Sequence, residues 1–109
     1  MPMRILHLTL KKRWFELIAV GTKKHEYRTD KPYWRKRLVE NGESKEFDVV
    51  RFKNGYSKTA PTMDVEFKGI SFTSDRWWTP KHGEDFEGNI IVISLGRVLG
   101  ITNRFNRTG

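Results

Sequence analysis

The stretch Ile5-Leu6-His7-Leu8-Thr9-Leu10-Lys11-Lys12-Arg13-Trp14-Phe15-Glu16-Leu17-Ile18-Ala19-Val20-Gly21 decides the fold, because its hydrophobic period changes midway. Through Ile5–Leu10 the residues His7 and Thr9 fall between apolar neighbours, and this near-alternation predicts a buried first strand. Beyond it, Trp14, Leu17 and Ile18 recur at i, i+3 and i+4, which places them on one core-facing stripe of a helix over 11–20. Gly21 stands where a helix needs a left-handed residue to leave its last turn, so the helix ends there.

The alternation resumes over 22–29, with Lys24, Glu26 and Arg28 on one face of a second strand and Lys23, His25 and Tyr27 on the other. Asp30-Lys31-Pro32 reads as a helix entry, with Asp30 as the cap and Pro32 in the first turn of a short basic helix, Tyr33-Trp34-Arg35-Lys36-Arg37-Leu38. Residues 41–45 read as a loop. A strand over 47–53 then ends at the turn signal Asn54-Gly55. In the next strand, over 63–72, Met63, Val65 and Phe67 face away from Asp64, Glu66 and Lys68. Residues 74–88 show no period and contain Pro80 and Gly83, which predicts a long loop around Arg76-Trp77-Trp78. Residues 90–95 are apolar almost throughout, as in a strand covered on both faces, and 98–101 extend or return it. A polar tail follows from 102. The order predicts one α+β domain over 1–109: five to six strands, one main helix after the first strand and a second short helix. A closed or nearly closed barrel would leave such a small sheet with no exposed edges.

A chain of 109 residues with 37% hydrophobic and 13% aromatic content has enough apolar surface to fold without staples. Without cysteine, disulfides and thiolate chemistry are excluded, and a cytoplasmic address is the default. No apolar run approaches the ~18 residues of a membrane span, and Ile5–Leu10 is too short for a signal-peptide core. The formal charge of +8 calls for an anionic partner. Its distribution is informative: residues 1–58 hold 15 Lys/Arg against 7 Asp/Glu, and the remainder 6 against 6. That concentration reads as a phosphate-binding face rather than a solubilising coat.

The segment Gly21-Thr22-Lys23-Lys24-His25-Glu26-Tyr27-Arg28 carries the most specific signal. Gly21, Lys23, Glu26 and Arg28 match the pattern Gly-x-Lys-x-x-Glu-x-Arg, and with the preceding strand and helix the chain resembles the ASCH domain over essentially its whole length. By average residue usage the four-position match arises by chance in about one such chain per thousand. The resemblance implies a small PUA-like β-barrel and a cleft lined by the motif. It also implies binding of RNA or other nucleic acid, while some relatives are hydrolases that deacetylate 4-acetylcytidine and others are ribonucleases. In the deacetylating relatives a hydroxyl residue proposed as nucleophile stands at the position of Glu26, beside the lysine corresponding to Lys23. A carboxylate has no proton for Lys23 to remove and would give a mixed anhydride, so this departure weakens the amidase reading.

From the residues alone, Glu26 and Arg28, two apart on one strand face, form an ion pair that aims Arg28 at a ligand. Arg28 offers phosphate or a base edge a planar fork, and Lys23 offers a compact charge. Lys11, Lys12 and Arg13 oppose the dipole of the first helix, at about 0.3–1 kcal/mol each when exposed. A phosphate over the helix start, with Lys12 as its chief contact, would offset that, and so would solvent. Tyr33-Trp34-Arg35-Lys36-Arg37 interleaves rings with cations, as stacking of bases and neutralising of a backbone require. Trp34 shares a face with Leu38 and packs inward, leaving Arg35 and Lys36 as phosphate contacts. Tyr56 sits at the tip of a hairpin turn, where it can overhang a cleft, and one of Trp77 and Trp78 is exposed, either to stack on an unpaired base or to pack over a barrel mouth. His7, His25 and His82 have no metal-ligand spacing, so neither a metal nor a cofactor is expected. The reading is a nucleic-acid-binding module for RNA or unpaired strands, with Lys12, Lys23, Glu26, Arg28, Arg35, Lys36 and Tyr56 as its contacts and no membrane partner. The alternative is a hydrolase of a modified nucleoside such as 4-acetylcytidine, or a ribonuclease, with Lys23 and Glu26 at its active site. Oligomeric state is left unassigned.

Overall fold

The computed structural model describes residues 2–76 and 86–102. In chain order these form β1 (Ile5–Leu10), α1 (Lys12–Ala19), β2 (His25–Thr29), α2 (Pro32–Leu38), β3 (Val39–Glu40), β4 (Glu43–Ser44), β5 (Val49–Asn54), β6 (Thr62–Ser74) and β7 (Asn89–Thr102). Five strands form a mixed sheet in the order β1-β5-β6-β7-β2, and β3 pairs with β4 in a two-stranded hairpin. The α+β class, the two helices and the five-stranded sheet match the expectation. The order is linear from β1 to β2, and no strand pair closes the sheet into a barrel among the described residues. No helix among the described residues is long and apolar enough to cross a membrane.

The chain divides into two compact units: residues 1–24, 47–67 and 95–109 in the first, 25–46 and 68–94 in the second. In the first, β1 runs parallel to β5 with Leu6 opposite Val50 and Leu8 opposite Phe52. β5 turns back antiparallel to β6, with Val50 opposite Val65 and Phe52 opposite Met63. These six side chains are buried, and α1 adds Phe15 and Ile18. Trp14 and Leu17, expected inside, are half-buried, because the helix stripe centres on Phe15 and Ile18. Gly21 adopts φ +83°, the left-handed conformation its position asks for. The amides of Gly21 and Lys23 donate to the carbonyls of Ile18 and Leu17, so 22–24 are spent on leaving the helix and the second strand starts only at His25. Across β5 and β6, directly opposed Arg51 and Asp64 form a two-pronged ion pair, with Nε to Oδ1 at 2.7 Å and Nη2 to Oδ2 at 2.9 Å.

In the second unit β2 runs antiparallel to the first part of β7, Tyr27 opposite Val92 and Glu26 opposite Ile93. Tyr27, Ile90 and Val92 pack together with the half-buried Phe86. Ile90–Ile93 are buried at four consecutive positions, as a strand covered on both faces requires. β7 then continues to Thr102 without returning on itself. Residues 41–45, expected as loop, are a tight hairpin: Asn41 at φ 53° and Gly42 at φ 79° supply the two left-handed residues a type I′ turn needs. Of the segment expected as a long loop, Ser74 belongs to β6, and the Gly88 amide donates to Asp75 Oδ2 at 2.9 Å while the Asp75 amide donates to the Gly88 carbonyl. Trp77, Trp78, Pro80, His82 and Gly83 lie outside the described residues, as does most of the tail.

Phe52 is 0% exposed. Phe52→Ala should therefore lower the unfolding free energy by about 3–5 kcal/mol, whereas Tyr56→Ala, at an 88% exposed side chain, should change it by about 0.5 kcal/mol or less. Urea unfolding followed by tryptophan fluorescence measures both.

Candidate functional site

The second unit gathers the richest set of functional side chains, and β2 positions it. Glu26 is 4% exposed, which a carboxylate tolerates only when charge and hydrogen bonds compensate its lost hydration. Glu26 Oε1 lies 3.3 Å from Arg28 Nη1 and accepts the Tyr27 amide at 3.0 Å. Arg28 Nη1 also donates to the Tyr27 carbonyl at 2.7 Å. The Glu26–Arg28 pair expected from their two-residue spacing is thus formed, and Arg28 Nη1 is held by both the Glu26 carboxylate and the Tyr27 carbonyl.

Arg28 in turn lies over Trp34 of α2, its guanidinium carbon 5.1 Å from the ring centroid. Arg37 lies over the same ring at the same distance and 5.7 Å from the centroid of Tyr33. Tyr33 and Trp34 meet edge to face, centroids 4.9 Å apart and planes at 88°. The Trp34 side chain is therefore a half-buried platform under two guanidiniums rather than the inward-packed residue expected from its spacing to Leu38. Beside it Tyr33 is 62% exposed. Arginine over an aromatic face is an attractive arrangement, and desolvation on ligand binding strengthens it.

Arg35 and Lys36 are exposed on the same helix. Arg35 does not simply reach into solvent: Nε donates to Asp30 Oδ1 at 2.6 Å and Nη2 to Oδ2 at 2.9 Å. Asp30, expected as the cap of α2, makes no such bond, its carboxylate being taken by Arg35; Lys31 occupies the capping position, and its ammonium has no acceptor to offer the helix amides. The hydrogen bonds from Arg35 hold the Asp30 carboxyl below its ordinary value near 3.8, against the opposing effect of burial. In the first unit the Arg51 hydrogen bonds do the same for Asp64.

Lys12, Lys23 and Tyr56 belong to the first unit. The Lys23 ammonium lies 4.3 Å from the centroid of Trp14, and Arg13 lies 4.5 Å from it. Lys12 is exposed in the first turn of α1, a turn that holds no acidic residue and whose capping position, Lys11, makes no side-chain bond. Tyr56 projects into solvent beyond the Asn54-Gly55 turn. Glu26, Arg28, Arg35 and Lys36 belong to the second unit, and of the expected contacts the structure brings together Glu26 with Arg28. Sequence reading passed over Arg37, Asp30 as a partner of Arg35, and Phe72, whose ring lies 5.1 Å from the Arg35 guanidinium. The first had a signal in its i, i+4 spacing to Tyr33. Phe72 comes from a distant strand and had none. No three His, Asp or Glu side chains gather as a metal ion would need among the described residues.

No family model, curated protein or solved structure matches the chain.

Both lowered carboxyls give stability that is complete above their unfolded values and is lost as pH falls through the lower folded ones. Urea midpoints should therefore fall as pH drops below about 4, and Asp30→Asn combined with Asp64→Asn should flatten that decline. An unaltered acid limb in the double variant would refute the assignment.

Proposed function

We propose that this chain binds nucleic acid, RNA or another unpaired strand, through the aromatic and basic face of its second unit. The observation that carries the reading is the Arg28–Trp34–Arg37 arrangement with Tyr33 exposed beside it. Unpaired bases offer π faces to such rings, and a backbone offers phosphates to cations at the rim. Lys36 and the guanidinium edge of Arg37 supply that positive rim, in a chain of net charge +8. An interleaved set of rings and arginines favours single strands over duplex, whose bases are stacked away.

The motif Gly21, Lys23, Glu26 and Arg28 supports the same reading through its resemblance to the ASCH domain, and on this proposal the sheet is of the PUA-like kind. Glu26 is engaged by Arg28 and a main-chain amide, a duty of orientation rather than of attack. Binding is therefore favoured over hydrolysis. On this reading Arg28 acts on the ligand through Trp34 as much as by direct contact.

A labelled single-stranded RNA titrated at several salt concentrations should show a log–log slope of about −0.7 for each phosphate engaged. Tyr33→Ala should weaken binding by about 1–3 kcal/mol with little change of slope, whereas Lys36→Ala should remove about one phosphate's share of the slope. No measurable affinity at low salt would overturn the proposal.

A further inference from the structure

Without drawing on Trp34, the second unit has a recess of about 380 Å³ lined by Asp30, Arg35, Phe72, Thr73, Ser74 and Asn89. It is a shallow depression open to solvent, which suits a flat ligand lying on it rather than one enclosed by it. The backbone holding it is tied together, since the Asp30 amide donates to the Asn89 carbonyl at 2.9 Å. Phe72, near the end of β6, is 47% exposed, an uncommon position for a phenylalanine without a polar end. The Arg35 guanidinium, 5.1 Å from the ring centroid, is fixed in place by its two bonds to Asp30. Those bonds use two of the five guanidinium N–H donors and leave three.

The charge balance of the recess decides which ligand it suits. Asp30 neutralises Arg35 at short range, so the recess gives a phosphate no net attraction. What it does offer is a flat guanidinium and phenyl surface, spare N–H donors, two hydroxyls and a carboxamide. Thr73 and Ser74 each donate and accept, and the Asn89 carboxamide does both in one plane. A neutral planar heterocycle with acceptors and donors on its edge matches that set.

The geometry points to a second binding site here: a nucleobase subsite in which one unpaired base stacks at Phe72 and Arg35 and is read along its edge by Ser74 and Asn89. The choice of a base as ligand rests on the nucleic-acid reading above, whereas the recess shares no lining residue with the Trp34 cluster. Arg35, expected as a phosphate contact, is thereby assigned to base recognition.

Adenosine and uridine, which carry no phosphate, are the probes. In two-dimensional amide NMR spectra of the full chain, they should shift the signals of Thr73, Ser74 and Asn89. Phe72→Leu, which keeps apolar bulk without a ring, should abolish those shifts, and Phe72→Tyr should retain them. For single-stranded RNA, Phe72→Leu should lower affinity roughly 5- to 150-fold, the range for loss of one stacked base. If RNA binds and Tyr33→Ala weakens it, while nucleosides leave the recess unmoved and Phe72→Leu binds normally, the subsite is refuted and the nucleic-acid reading stands. If nucleosides shift the recess signals but RNA does not bind, the subsite stands and the polymer reading falls. Silence in both experiments overturns both.

Discussion

A carboxylate buried in a strand governs this structure. Glu26 cannot be withdrawn from water as an isolated charge, and its neighbours on β2 are arranged around that constraint. Arg28 supplies the opposite charge, the Tyr27 amide a hydrogen bond, and the Tyr27 carbonyl accepts from the same guanidinium nitrogen that meets the carboxylate. Because the arginine is pinned this way, its outer surface can be laid over Trp34, and α2 is held by an aromatic ring against a fixed cation. The helix needs such external support. It is only seven residues long, has no acidic residue in its first turn and has no side-chain cap, and helices of this length have little stability of their own.

Much of the fold was legible in local pattern. β1 occupies the expected residues, Gly21 takes the left-handed conformation, and the apolar run from Ile90 is buried as its composition implied. What failed to show were features set by competition between groups. Thr22–Lys24 continue an alternation on paper, yet the amide of Lys23 is needed by the last turn of α1, and main-chain satisfaction prevails over side-chain period. Asp30 has the type and position of a cap but is captured by Arg35, whose two-pronged geometry makes a stronger bond than a single amide. Asn41-Gly42 is a hairpin signal, but its flanking strands are only two residues each, too short to show an alternation.

The candidate site divides along similar lines. The Glu26–Arg28 pair follows from spacing alone, since alternate residues of a strand share a face. Trp34 was misread because helical spacing to Leu38 says which residues are neighbours but not which end of a large ring stays wet. Its indole is amphipathic, and two arginines from different elements claim its faces. Phe72 and Asp30 reach Arg35 from separate parts of the chain, a convergence that only the three-dimensional structure reveals.

The Arg51–Asp64 bridge has a bearing on how the β5–β6 hairpin finds its partner during folding. A strand displaced by one residue presents its opposite face, so Met63 and Val65 would turn to solvent and Arg51 would meet an apolar neighbour. A misaligned hairpin would thus forfeit its oil-loving contacts and its electrostatic clasp in the same step. The polar side of the ribbon thereby proofreads the apolar side, and with it the alignment of the strand along which β1 runs.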